Sequence, residues 1–184
     1  PMSRTTQRDE QKLLASLALA LVEAPNANLQ ELARAVGISK ATLHRFCPTR
    51  ELLIERLIER AVTVLNQGIR SAELDGPDPK EALKRLSANC LENRDLLLFV
   101  MFFWRPGAPI ERQMETDWAT TLDAFFLRGQ QAGVFRVDIP AAAMTEIWTS
   151  ILLGLQDGER RGRIARQGMQ VLLESVFLEG CLRS

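Results

Sequence analysis

The sequence predicts an all-α fold in which a small helical head precedes a larger helical body. Three observations predict it. Gly and Pro punctuate the chain at Pro25, Gly37, Pro48, Gly76-Pro77-Asp78-Pro79, Pro106-Gly107-Ala108-Pro109, Gly133 and Pro140, and the intervals between them have helical length. Inside those intervals apolar residues recur at i, i+3, i+4 and i+7, the spacing of one helix face. Only residues 134–137 alternate like a strand, and one strand without a partner makes no sheet.

A chain of 184 residues, 46% hydrophobic and 25% charged, has room for one sizeable core with a small appended unit. The division predicted here is a head over residues 1–50 and a body over 51–184. Basic and acidic side chains balance at 23 each, which excludes a protein that coats nucleic acid along its whole surface. The balance is uneven, however. Residues 1–50 hold seven Lys/Arg against four Asp/Glu, net +3, and residues 51–184 hold sixteen against nineteen, net −3. The positive charge is concentrated in the head.

The first predicted helix covers residues 7–24 and is apolar on nearly every face from 13 to 22, as in a helix covered on several sides. That run has the length of a signal peptide, but Asp9 and Glu10 spoil the positive flank such a segment needs, and a patterned helix pair follows at once. It reads as a core helix, with Pro1 ahead of Met2 as an appended residue. The longest uninterrupted apolar run, nine residues from 96 to 104, falls well short of the roughly 20 needed to span a membrane.

Two short helices follow. Asn28 with Glu31 three residues on has the pattern of a capping box, and Gly37 stops the helix after Val36. Ser39 then caps a second helix from Lys40 to Phe46. Short helix, glycine turn, short helix is the helix-turn-helix plan. The small Ala33 lets the two backbones approach, Gly37 supplies the left-handed conformation of a sharp turn, and Leu43 with Phe46 should point inward and pin the second helix. Lys40, Thr42, His44 and Arg45 are then left outside, and these are residue types that read base edges or hold phosphates.

Thr49 caps a long helix over 50–71 with Leu53, Leu57, Ala61, Val64 and Leu65 as its apolar stripe. A helix over 79–94 follows, with Leu83, Leu86 and Cys90 on one face. Residues 96–104, apolar all round, predict an element buried deep in the body. Ile110, Met114, Trp118, Thr121, Leu122, Phe125 and Gly129 form one stripe of a helix over 109–132.

The last two helices share one spacing. Met144, Ile147, Trp148, Ile151, Leu152 and Leu155 are matched by Met169, Leu172, Leu173, Val176, Phe177 and Gly180. Such a pair can bury its face against its own body or against the same pair in a second subunit, forming a four-helix bundle on a two-fold axis. The second option makes Ile147, Ile151, Gly154, Leu155, Leu172, Val176 and Phe177 the expected dimer interface.

The aromatic area lies largely in the body. Phe99, Phe102, Phe103, Met114, Trp118, Phe125 and Trp148 are candidate walls of a pocket for a flat apolar ligand, although core packing accounts for the same residues. Gly154, Gly158 and Gly162, four apart, suit either close helix approach or a fraying helix end. Arg160, Arg161, Arg163 and Arg166 read as a solvated surface run. Cys47, Cys90 and Cys181 are too few and scattered for a disulfide framework, which points to a reducing cytoplasm, and Cys47 reads as a small buried residue before it reads as an oxidant sensor. With one histidine, no phosphate-cradling glycine loop and no metal-ligand cluster, an enzyme, a cofactor and a metal site are not expected.

On Gly37-Ile38-Ser39-Lys40-Ala41-Thr42-Leu43 and Pro48-Thr49-Arg50-Glu51, the stretch from Leu29 to Leu53 resembles the TetR family of bacterial regulators. It departs from the family pattern at His44, where Tyr is usual, at Phe46-Cys47, where His-Phe is usual, and at Arg50, where Lys is usual. The resemblance continues through Gly133-Val134-Phe135 and covers nearly the whole chain. Over 41–47, 122–139 and 159–163 it narrows to members that repress multidrug efflux operons.

The resemblance implies a homodimeric, ligand-responsive repressor on a near-palindromic operator. Its candidate DNA contacts are Ser39, Lys40, Thr42, His44, Arg45, Thr49 and Arg50. The rival reading is a helical adaptor whose head touches protein, not double-stranded DNA.

Overall fold

The computed structural model describes residues 4–103 and 117–181, and among them nine helices and no strand are found. They are α1 (Arg4–Glu23), α2 (Leu29–Ala35), α3 (Lys40–Phe46), α4 (Arg50–Ala72), α5 (Pro79–Glu92), α6 (Arg94–Phe103), α7 (Trp118–Gln131), α8 (Ala141–Arg160) and α9 (Met169–Cys181). Two compact units are formed, one from the described residues of Pro1–Val64 and Asp95–Gln113, the other from those of Leu65–Arg94 and Met114–Ser184.

In the first unit local chemistry sets each helix end. Asn28 Oδ1 accepts from the Glu31 N–H at 3.0 Å and Glu31 Oε2 accepts from the Asn28 N–H at 2.8 Å, so two otherwise orphaned donors at the start of α2 are satisfied reciprocally. Gly37 closes α2 at φ +75°, a conformation that disfavours any side chain, and the Ile38 N–H donates back to the Ala33 carbonyl at 2.9 Å. Ser39 Oγ then accepts from the Thr42 N–H at 3.0 Å and Thr49 Oγ1 from the Leu52 N–H at 3.2 Å, starting α3 and α4. Leu14, Leu17, Leu21, Leu32, Leu43, Leu53 and Leu57 form the core of this unit, each 4% exposed or less.

The second unit packs α8 against α7 and α9, and α9 against α5. Asp78 and Pro79 start α5, and the α5 side chains Arg85 and Asn89 reach carbonyls of α4, Ala72 O at 3.0 Å and Gly68 O at 3.1 Å. Trp148, Phe125, Phe126, Phe135 and Phe177 are each 1% exposed or less, and Phe126 sits centrally, 5.1 to 5.6 Å from the Phe125, Phe135 and Phe177 rings. Phe135 folds back over α7, where a Cβ on Gly129 would meet its ring at 2.3 Å, so the position admits only glycine.

Several expectations need correcting. Residues 96–104 do not form a uniformly buried element: Leu96 to Phe99 are buried, but Met101 and Phe102 are 39% and 38% exposed. An apolar run shows that an element can be covered on every face without showing that it is. The stripe from Ile110 does not define the start of α7, because Asp117 in extended conformation accepts from the Thr120 N–H at 2.7 Å and begins that helix at Trp118. Ile110 and Met114 lie outside the described residues. Asn93 separates α5 from α6, ending the former at Glu92 and not at Arg94.

The three glycines spaced four apart, at 154, 158 and 162, also part company. Gly154 faces open space, Gly158 lies under Ile164, and Gly162 turns the chain at φ +71° after the helix.

Candidate nucleic-acid interface

α3 is seven residues long and is held on one side only. Leu43 is fully buried and Cys47, directly after the helix, is 1% exposed. Phe46 is only half-buried, contrary to the inward role expected of it, and Cys47 takes the anchoring place. Leu32 and Ala33 of α2 are buried, and the two short helices pack on each other. Leu43 and Cys47 are the buried positions of this segment, and Lys40, Thr42, His44 and Arg45 are all exposed around the rest of the helix. Two cations, a hydroxyl and an imidazole therefore face solvent on this short helix with no carboxylate on it to neutralise them.

The remaining expected contacts are placed differently. Ser39 and Thr42 hydroxyls lie 2.8 Å apart, and Ser39 Oγ also caps α3. Thr49 is exposed but its oxygen caps α4. Arg50 turns inward: it is half-buried, Nε donates to Ala27 O at 3.1 Å and Nη2 to Pro25 O, so its guanidinium braces the α1–α2 turn. The sequence gives no sign of this, because those acceptors are main-chain carbonyls 23 and 25 residues away.

The expected ligand walls fall into two groups. In the first unit Phe99 is buried and stacks on Phe103 at 4.7 Å, beside the partly exposed Phe102. In the second unit the half-buried Trp118 stacks at 6.1 Å on the buried Trp148, while Phe125 belongs to the phenylalanine core.

The expected dimer stripe is mostly open. Ile147, Leu172 and Val176 are 42%, 41% and 53% exposed, Gly154 is exposed, and Ile151 and Leu155 are half-buried. Phe177 is the exception: at 1% exposed it faces Phe126 and not the stripe.

Among the other groups singled out, Cys90 is buried and desolvation pushes its thiol up to about 12, which keeps it protonated and inert across the physiological range. Three arginines of the run are ion-paired at the surface. Arg160 and Arg161 both meet Asp157 at 2.8 Å, and Arg166 meets Glu159 at 2.9 Å. Hydrogen bonds from Arg160 and Arg161 hold the Asp157 carboxyl below the usual carboxylate range. No group of metal-ligating side chains occurs among the described residues, and none of their helices is long and apolar enough to cross a membrane.

No family model matches the chain. Individual proteins do. The HTH-type transcriptional regulator NfxB of Pseudomonas aeruginosa is 47% identical over 174 residues, 93% of each chain. The HTH-type transcriptional repressor LfrR of Mycolicibacterium smegmatis is 28% identical over 95% of this chain and 91% of its own. The crystal structure of LfrR superposes with a TM-score of 0.69 at 20% identity, covering 98% of this chain and 100% of that one, and LfrR has also been solved in complex with proflavine. The ketosteroid regulator KstR2 of Mycobacterium tuberculosis superposes with a TM-score of 0.75 at 17% identity, covering 95% of both chains. A helix-turn-helix head with a cationic, outward-facing second helix, an all-α body and a 47% identical regulator matched nearly end to end lead to one assignment. The chain belongs to the TetR family of helix-turn-helix transcriptional regulators.

Proposed function

We propose that this DNA-binding regulator is a homodimeric, ligand-responsive repressor that places two copies of α3 in successive major grooves of a near-palindromic operator. The observation that carries the DNA contact is the joint exposure of Lys40, Thr42, His44 and Arg45 on a helix pinned by the buried Leu43 and Cys47. Half-sites one helical turn apart require the two heads to lie about 34–36 Å apart. A dimer alone can set that distance.

The stripe of Ile147, Ile151, Leu155, Leu172 and Val176 supports the dimer. It is an apolar strip left partly open on two adjacent helices, and a two-fold copy of itself covers it. Trp118 stacked on Trp148 supports an effector with a flat aromatic body. A target among multidrug efflux genes rests on the likeness to NfxB and LfrR. An effector that fits a body conformation other than the DNA-bound one releases the operator by linkage.

The mass in solution tests this reading. Wild-type protein at micromolar concentration is expected to scatter light as a dimer, and Ile147→Asp with Val176→Asp as a monomer that binds duplex more weakly. A monomeric wild type, or a double variant that stays dimeric, contradicts it.

A further inference from the structure

The C-terminal end of α3 is held by a side chain that lies outside it. The last carbonyls of any helix have no partner within the helix. Arg56 of α4 meets this need: its Nη1 donates to the Phe46 carbonyl at 2.8 Å and lies 3.9 Å from Cys47 Sγ. The same guanidinium covers the Phe46 ring, with 4.1 Å from its carbon to the ring centroid. Its Nη2 pairs with Glu10 Oε1 of α1 at 2.7 Å. One planar group thus ties three helices of a single compact unit together at the exit of the recognition helix.

We infer that Arg56 is a positioning residue for DNA recognition: it fixes the angle at which α3 presents Lys40, His44 and Arg45, and does not itself touch the duplex. Two buried anchors, Leu43 and Cys47, define a line about which a seven-residue helix can still rock. A third fixed point is needed to stop that motion, and the grip on the Phe46 carbonyl and ring supplies it. One N–H on each terminal nitrogen of Arg56 is spent within the protein and the guanidinium face lies on the Phe46 ring, so the group is oriented by its own fold. The ion pair with Glu10 is 39% and 25% exposed and is weak as a Coulomb pair alone. What matters is that a planar fork satisfies a carboxylate, a carbonyl and an aromatic face at once, which the single ammonium of lysine cannot do. Arg50, braced against Ala27 O and Pro25 O, fixes the α1–α2 turn in the same manner from the start of the same helix.

The test uses full-length protein and a duplex selected from random sequence by the wild type. Arg56→Ala is expected to weaken binding about tenfold, the scale of one charge-assisted hydrogen bond. Arg56→Lys should recover only part of that, and Glu10→Gln, which keeps the carbonyl and ring contacts, should cost less than Arg56→Ala. The slope of log affinity against log salt should stay at the wild-type value, because no phosphate contact is removed. Without DNA, amides 43–47 should exchange faster in Arg56→Ala than in the wild type.

Affinity within twofold of the wild type overturns the inference. So does a shallower salt slope, which would make Arg56 a phosphate contact. A cavity variant of α1, Val22→Ala, that loses as much affinity as Arg56→Ala at an equal melting temperature would reduce the effect to general destabilisation, and would also overturn it.

Discussion

Replacing Lys40 and Arg45 together by alanine is expected to weaken binding to a selected duplex by about a hundredfold, because each contact of this kind contributes about 1–3 kcal/mol and each 1.4 kcal/mol is a factor of ten. Both side chains are exposed and neither is capped or buried, so stability should change by no more than about 0.5 kcal/mol. The salt dependence separates the kinds of contact. A phosphate contact removed lowers the slope of log affinity against log salt by about one, whereas a base contact removed leaves the slope and relaxes the preferred sequence at one position. Anisotropy titrations of the single and double variants across a salt series measure both quantities. A double variant that keeps wild-type affinity removes α3 from the interface.

The second large effect is on stability. Phe126→Ala deletes a fully buried ring from among Phe125, Phe135 and Phe177, and should cost about 3–5 kcal/mol through lost burial and the cavity left behind. For a chain of this size that lowers the melting temperature by roughly 10 °C. Leu127→Ala, next in sequence but 49% exposed, should stay within about 0.5 kcal/mol of the wild type. Calorimetry on the pair checks the assignment of the core. Comparable shifts for the two variants would show that α7 buries a different face.

The helix-turn-helix could be read from residues because its constraints are local. Asn28, Glu31, Gly37 and Ser39 each act within four positions of themselves, and the cap hydrogen bonds and the positive φ at Gly37 follow the same spacing in three dimensions. The features that were not legible depend on partners distant in the chain. Phe46 looked like an anchor because it stands at helical spacing from Leu43, yet it is Cys47, just past the helix end, that is buried. Arg50 reads as a DNA contact and Arg56 is not singled out at all, since nothing in their neighbourhood reveals that their acceptors are carbonyls of Pro25, Ala27 and Phe46.

Periodicity likewise finds a face without naming what covers it. Trp148 and Leu152 turn into their own core, Ile147 stays open, and Phe177 leaves its stripe for Phe126. The Gly129–Phe135 contact needs a loop to fold back by six residues, which no pattern of apolar residues encodes.

Photocrosslinking from the recognition helix tests the central claim most directly. With benzoylphenylalanine at position 44, on the exposed flank of α3, irradiation in the presence of the selected duplex should join the protein to DNA at bases of the major groove, and the same probe at position 127 should not. Robust binding of the duplex with no crosslink from position 44, and an equal or stronger one from position 127, would contradict the account.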